Sequence, residues 1–252
     1  MKKCALITGA AKNTGPAIAE LFARNGVDVF ITSRRGEDAK QTAQELCNKT
    51  GKKIVGLEFD QGQTESIIPL FDEIEARGYV VTQLVMNAAA QGLNCDSLTV
   101  SQKDWASVIH TNVVGGFLCA REAAIRMKNQ EVDGSILFIG SNTAYHAIRN
   151  RSSYITSKGA IASLVKSLAL DWGQYGIRVN CLMPGPIHTD RWDCLDAETV
   201  AFRRNRAPLK KEATAQDIAN AVWFLSSDQS ANTTGSELLI DGGMHIQLHP
   251  SM

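Results

Sequence analysis

The stretch Thr8-Gly9-Ala10-Ala11-Lys12-Asn13-Thr14-Gly15 lies between a short apolar run, Cys4–Thr8, and a stripe of Ile18, Leu21 and Phe22 at helical spacing. Strand, glycine turn and helix in that order open a doubly wound sheet. The glycines permit a tight turn and let the backbone approach a pyrophosphate, whose charge suits the N-terminus of the following helix. Asn13 stands where a middle glycine is usual, and Asn tolerates a positive φ better than most residues. Pro16 suits the first helical turn. Alone, such a turn is equally compatible with a plain structural role, so the rest of the chain has to carry the assignment.

Outward from the turn, strand-like and helix-like segments alternate. Strands are expected at Val27–Thr32, Lys53–Phe59, Thr82–Met86, Gly134–Ile139, Arg178–Met183 and Glu237–Ile240. Helices are expected at Gly36–Thr50, Glu65–Arg77, Ser101 to about Lys128, Ser152–Tyr175 and Thr214–Leu225, with Pro186–Ala207 irregular between them. The strands are continuous apolar runs, as in a parallel sheet covered on both faces. The expectation is an α/β fold: one Rossmann-like, doubly wound domain over residues 1–252, helices on both faces.

Composition narrows the function classes. Of 252 residues, 26 are Lys or Arg and 26 Asp or Glu, which gives no global field for a nucleic-acid backbone. With 44% apolar and 21% charged residues the chain is ordinary globular protein, and disorder is excluded. No apolar run approaches the ~18 residues of a membrane helix. Lys2-Lys3 before Cys4–Ile7 imitates a secretory leader, but the run breaks at Thr8-Gly9, short of the ~7–15 residues such a leader needs. Six cysteines show neither C-x-x-C nor paired Cys/His spacing, so no metal site and a reduced, cytoplasmic setting are expected.

An acid at the end of the second strand would accept from a ribose 2′-hydroxyl. This chain has Thr32-Ser33-Arg34-Arg35 there, and arginine suits a 2′-phosphate through charge-assisted contacts. Lys12, Arg34 and Arg35 are expected to converge on that phosphate, and NADP is expected over NAD. The bland alternative is a solvated charge pair.

Tyr154 and Lys158 are spaced i, i+4 near the start of a helix, with Ser152 as its expected cap, so they share a face. A nearby ammonium stabilises tyrosinate and equips the phenol for proton transfer. Ser141 follows the fifth strand, at the end of the sheet where open α/β folds bind ligands. Asn112, on the stripe Trp105, Ile109, Asn112, Gly116, faces the core; alone it reads equally as a satisfied structural amide.

With these motifs assembled, the chain resembles the short-chain dehydrogenase/reductase family over nearly its whole length. The matching stretches are Thr8-Gly9 to Gly15, Asp60, Asn87-Ala88-Ala89, Asn112-Val113-Val114-Gly115, Ser141, Tyr154-Ile155-Thr156-Ser157-Lys158, Pro184-Gly185 and Asp241-Gly242-Gly243. The resemblance implies a catalytic tetrad of Asn112, Ser141, Tyr154 and Lys158. Tyr154 would be the general acid for carbonyl reduction and the base for alcohol oxidation. Ser141 would hydrogen-bond the substrate oxygen, and Lys158 the nicotinamide ribose. Asn112 would anchor a water that connects Lys158 to solvent. Asp60 and Gln61 would face the adenine, Asn87 and Ala88 the adenosine side, and Ile187 and Thr189, after Pro184-Gly185, the carboxamide. With Gly9, Asn13, Gly15 and Ser33 these complete the implied cofactor set. A homotetramer or homodimer built on the two long helices is also implied. Two departures stand out: Asn13 for glycine, and Met86-Asn87-Ala88-Ala89 for the commoner Asn-Asn-Ala-Gly, where Ala89 narrows the space beside the nicotinamide.

The resemblance implies a small carbonyl or alcohol as substrate. Residues 186–207 are expected to cover the site, with Trp192 as an apolar contact. Asn142–Arg151 would form another wall, and His146, Arg149 and Arg151 make it cationic. That suits an acidic or polyhydroxylated substrate; solvated side chains or a subunit interface are the plainer explanation. The run Arg203, Arg204, Arg206, Lys210 and Lys211 is read as mainly structural. A 3-oxoacyl carrier-protein reductase is the main alternative. Carrier-docking cations are not obvious, because Asn129-Gln130-Glu131-Val132 is not basic and Tyr175 stands where a basic residue is expected. A non-catalytic nucleotide sensor is a further class, and the intact tetrad argues against it. An epimerase or dehydratase of nucleotide sugars usually needs a longer chain.

Overall fold

Residues of the first strand, β1 (Lys2–Ile7), alternate between two cores. Cys4 and Leu6 join one with Phe71, Met127 and Val165; Ala5 and Ile7 join the other with Ile18, Phe22 and Val222. An apolar residue at every position is what a strand needs when both faces are covered. The computed structural model describes residues 1–247; residues 248–252 of the expected domain lie outside them.

The remaining strands are β2 (Asp28–Ser33), β3 (Ile54–Glu58), β4 (Tyr79–Met86), β5 (Gly134–Ile139), β6 (Ile177–Pro184) and β7 (Glu237–Ile240). They form one seven-stranded sheet in the order β3-β2-β1-β4-β5-β6-β7. Every pairing is parallel. The order reverses between β1 and β4, which opens a crevice at the carboxyl ends of those strands. Helices α1 (Gly15–Arg24) and α2 (Gly36–Thr50) lie on one face; α3 (Ile67–Ala76) lies on the other.

The glycine turn shows why its residues were needed. Gly9 has φ +60°, and a Cβ there would come within 2.8 Å of the Ala88 Cα. A Cβ at Gly15 would lie 2.3 Å from the Ala10 Cα, so α1 packs backbone to backbone on the turn. Asn13 adopts φ 56°, the left-handed conformation its side chain tolerates.

The expected long helix after Ser101 is not continuous. It divides into α4 (Gln102–Ile109), a π-helical turn (His110–Gly115) and α5 (Gly116–Asn129). The π turn inserts one residue, and such insertions recur at functional sites; this one holds Asn112. The expected helix at Glu65 begins as a 3₁₀ turn (Thr64–Ser66) before α3. The helix carrying Tyr154, α6, spans Ser152–Trp172 and ends in a 3₁₀ turn, Gly173–Tyr175. Its N-cap is Arg151, not Ser152, and no side chain caps it.

Residues 186–207 also depart from expectation. They contain two short helices, α7 (Asp190–Asp193) and α8 (Ala197–Asn205). A bridge between Ile187 and Ala213 joins the start of this segment to the chain after it, with His188 N–H donating to the Ala213 carbonyl at 2.8 Å. The last helix, α9 (Ala215–Ser226), opens on a reciprocal capping box of Thr214 and Asp217, a device worth about 1 kcal/mol. No helix is long and apolar enough to cross a membrane among the described residues.

Candidate active site

The crevice between β1 and β4 continues into one cleft of about 930 Å³. Its lining includes Gly9, Lys12, Asn13, Ser33, Arg34, Asp60, Gln61, Asn87, Ala88, Ser141, Tyr154, Lys158, Pro184, Gly185, Ile187 and Thr189. These residues come from seven separate segments, and the sheet order brings them together. Gly15, Arg35 and Asn112 from the expected set are not in that lining; Gly15 and Asn112 are buried, and Arg35 is exposed.

At the adenosine end, a polar hub shapes the turn. The Thr8 hydroxyl oxygen accepts from the Asn87 N–H at 3.1 Å and the Ala88 N–H at 3.0 Å. The Asn87 amide donates to the carbonyls of Thr8 and Gly9, both at 3.0 Å, while its oxygen accepts from the Thr14 hydroxyl at 3.1 Å. Asn87 therefore braces the turn from the far strand with both of its N–H groups. Gln61 is turned inward too, donating to the Thr111 carbonyl at 2.8 Å.

The expected convergence of Lys12, Arg34 and Arg35 is only partly realised. Lys12 and Arg35 flank one carboxylate, Asp38, at 4.0 and 3.5 Å, and Arg35 lies outside the cleft. Arg34 lines the cleft. The nearest strand-end acid, Glu58, accepts from the Gly36 N–H at 3.2 Å. Gly9, Lys12 and Arg34 line the cleft together, so backbone and positive charge meet at its adenosine end. A nicotinamide dinucleotide fits these groups.

At the reactive end, Lys158 extends from α6 to the end of β5. Its Nζ donates to the Ile139 carbonyl at 2.6 Å and lies 5.5 Å from the centroid of the Tyr154 ring. Burial pushes the Cys181 thiol on the neighbouring strand up to about 12, so it stays neutral beside that ammonium. The Ser141 Oγ accepts from the Thr143 N–H at 3.2 Å and from the Thr143 hydroxyl at 2.9 Å. Asn112 is 2% exposed. Its oxygen accepts from the Ala90 N–H at 2.7 Å, and its amide donates to the Ala90 carbonyl at 2.9 Å and the Ser157 hydroxyl at 3.0 Å. Ser157 in turn donates to the Tyr154 carbonyl at 2.7 Å. Asn112 thus ties the wall after β4 to the helix that carries Tyr154.

The lid is held by a polar knot. His188 Nδ1 lies 3.0 Å from Glu212 and its Nε2 3.1 Å from Asp193, while Arg204 donates to both oxygens of Glu212, each at 2.7 Å. Trp192, expected as a substrate contact, is instead packed within the lid. It stacks on His188 at a centroid distance of 6.1 Å, with the Arg203 guanidinium 5.4 Å away on its ring. Thr143, Ser157, Ala90 and Gln91 had no signal in the sequence, because each acts through a neighbour that only folding supplies.

Fold and site together define a nicotinamide-dependent oxidoreductase, and the chain belongs to the short-chain dehydrogenase/reductase family. A family model described as enoyl-(acyl carrier protein) reductase matches residues 9–245. Glucose 1-dehydrogenase 2 of Bacillus subtilis is 31% identical over 250 residues, 99% of this chain and 96% of that protein. 3-Oxoacyl-(acyl-carrier-protein) reductase FabG of Escherichia coli is 33% identical over 246 residues, 97% of this chain and 98% of that protein. Among solved structures, a putative gluconate dehydrogenase from Agrobacterium tumefaciens superposes with a TM-score of 0.92 at 33% identity, covering 98% and 97% of the two chains. The chain is an oxidoreductase acting on CH–OH and C=O groups.

Proposed function

We propose that residues 1–252 form a single NADP-binding catalytic domain that interconverts a ketone and a secondary alcohol. The observation that carries this is the Lys158 ammonium beside the Tyr154 ring, on one helix face, with Ser141 on the same cleft. When bound, the nicotinamide supplies the hydride in reduction and accepts it in oxidation. Everything else falls to the chain's own residues. Ser141 donates a hydrogen bond to the substrate oxygen. Tyr154 gives its phenolic proton to that oxygen in reduction and takes one from the alcohol in oxidation. Lys158 favours the tyrosinate left behind. Asn112 acts from behind, fixing Ala90 and Ser157.

Gly9, Asn13, Gly15, Asn87 and Ala88 form the cradle for the dinucleotide, with Asp60 and Gln61 towards the adenine and Pro184, Gly185, Ile187 and Thr189 towards the nicotinamide. Arg34, aided by Lys12 and beside Ser33, selects the 2′-phosphate of NADP. Arg35 contributes through its share of Asp38. The reading extends to a homotetramer or homodimer, supported by apolar Leu170 on α6 at 83% exposure, and to the cytoplasm, supported by the cysteine usage.

The relatives named for glucose and gluconate support a polar, small-molecule substrate. The oxoacyl carrier-protein alternative is supported by the similarity to FabG. Against it, Tyr175 occupies its position as an exposed phenol accepting from Lys128 at 3.3 Å. A panel of ketones, aldoses, polyols and an acyl-carrier thioester, assayed with NADPH and NADH in parallel, tests this reading. Turnover with NADPH preference is expected. Tight NADPH binding with no turnover would instead mark a sensor.

A further inference from the structure

Arg151 is the residue immediately before α6, three positions from Tyr154. Its guanidinium carbon lies 5.2 Å from the centroid of the Tyr154 ring. One Nη donates to the Gln91 side-chain oxygen at 2.8 Å. Tyr154 and Gln91, the two groups it touches, both line the cleft; Arg151 itself is outside the lining and meets the cleft through them. Its Nε is buried without a hydrogen-bond partner among the described residues. A buried, unpaired guanidinium nitrogen costs free energy and calls for an explanation in a ligand or water that the folded chain itself does not supply.

The surroundings say what kind of ligand. No Asp or Glu occurs in Asn142–Arg151 or in the facing wall Asn87–Cys95. The acid in the cleft lining, Asp60, belongs to the adenosine end. Arg151 forms no ion pair among the described residues; its charge is met only by an amide oxygen and an aromatic face. Arginine's planar fork matches a carboxylate with two parallel hydrogen bonds, which neither a carbonyl nor a hydroxyl can return. Resting on the catalytic role given above to Tyr154, we propose that Arg151 is a specificity-determining residue that binds a carboxylate on the substrate. The natural substrates are then small oxo acids and the corresponding hydroxy acids. The carboxylate is set at the Arg151 side of Tyr154 while the reacting oxygen meets Ser141 and the phenol. Gln91 holds the guanidinium in register for this contact.

The test pairs each of several short oxo acids, with four to six carbons, with its own methyl ester, using NADPH. Wild type prefers the acid by about 10- to 100-fold in kcat/KM, the range of hydrogen bonds to charged groups. Arg151→Gln brings the acid-to-ester ratio close to one, Arg151→Lys keeps part of the preference, and Gln91→Leu raises the KM for the acid more than it lowers kcat. NADPH affinity, read by fluorescence, reports that each variant is folded. An ester turned over as well as its acid by wild type overturns this assignment and leaves the catalytic reading standing. So does an acid preference that survives intact in Arg151→Gln, which would reduce Arg151 to a staple between Gln91 and α6. NADPH binding with no turnover of either member of any pair overturns this assignment, and the catalytic reading falls with it when the wider panel of ketones, aldoses and polyols also gives none.

Discussion

The Ser141 hydroxyl oxygen accepts two hydrogen bonds from a single residue, Thr143, one from its backbone N–H at 3.2 Å and one from its hydroxyl at 2.9 Å. A hydroxyl oxygen has two lone pairs, and both are spoken for. What remains is the O–H, which can only donate. With Thr143 donating both bonds, the arrangement suits the proposed role of Ser141 as donor towards a substrate oxygen. Thr143→Val removes the side-chain half of this arrangement and is expected to lower kcat about three- to tenfold, the worth of one net hydrogen bond. Thr143→Ser is expected to restore it. Steady-state kinetics on both variants, with NADPH affinity as a control, checks this; equal kcat in all three proteins would exclude the role.

Tyr154→Phe keeps the ring that packs between Lys158 and Arg151 but removes the proton. Turnover is expected to fall by at least about 100-fold, the lower range for a general acid, with NADPH binding retained. A fluorescence titration beside a single-turnover assay separates the two. A Phe variant with wild-type turnover would remove Tyr154 from the chemistry.

Arg34 lines the cleft, whereas Arg35 and Lys12 share Asp38. Arg34→Ala is therefore expected to raise the KM for NADPH by about 10- to 100-fold while leaving that for NADH within about twofold. Arg35→Ala should do much less, because its charge is already partly met. Kinetics with both cofactors decide between this and a merely solvated charge.

The lid should respond to pH in a definite window. Both nitrogens of His188 face carboxylates, and only the imidazolium can donate to both. Its pKa is raised above 6.5, first by the hydrogen bond to Glu212. The Arg204 guanidinium, and then His188, lower that of Glu212 from 4.5 to about 2. The His188 contribution is full below 6.5 and is lost as pH rises through its folded value. The Glu212 contribution is full above 4.5 and is lost as pH falls towards about 2. Limited proteolysis within residues 186–212 is expected to be slower at about pH 5.5 than at about pH 8.5, and His188→Gln to abolish the difference. The same cutting rate at both values in wild type would contradict the knot.

Gly15 faces backbone, not a side chain that can swing away. With a Cβ there only 2.3 Å from the Ala10 Cα, Gly15→Ala is expected to cost about 1–3 kcal/mol through overpacking, read as a lower denaturation midpoint. A midpoint equal to that of wild type would mean that the turn can open.

What the sequence made legible follows physical cause. Gly36–Thr50 and Gly134–Ile139 were bounded correctly because glycine marks their starts and burial patterns their interiors. Ser141, Tyr154 and Lys158 meet on one cleft, as strand-end position and i, i+4 helix spacing lead one to expect, while Asn112 lies outside its lining. The lid helices escaped notice for the opposite reason: α8 has no buried residue, so no apolar stripe betrays its period. The π turn around Asn112 leaves no compositional trace, since it differs from an α-helix by one inserted residue. Trp192 was misplaced because an aromatic in a loop says nothing about which side of that loop it fills.

The reversal of strand order between β1 and β4 divides the labour of the chain along its length. Residues up to Met86 shape the nucleotide end and hold Lys12 and Arg34; Asn112, Ser141, Tyr154 and Lys158 all follow. In the proposed reading, cofactor choice is thus encoded before the reaction chemistry along the chain, although the two parts share one sheet through the β1–β4 pairing. A change at Ser33–Gly36 can redirect electron supply while the reacting carbon meets the same groups. In such a fold, a lineage can exchange its source of reducing power and its substrate independently, one part at a time.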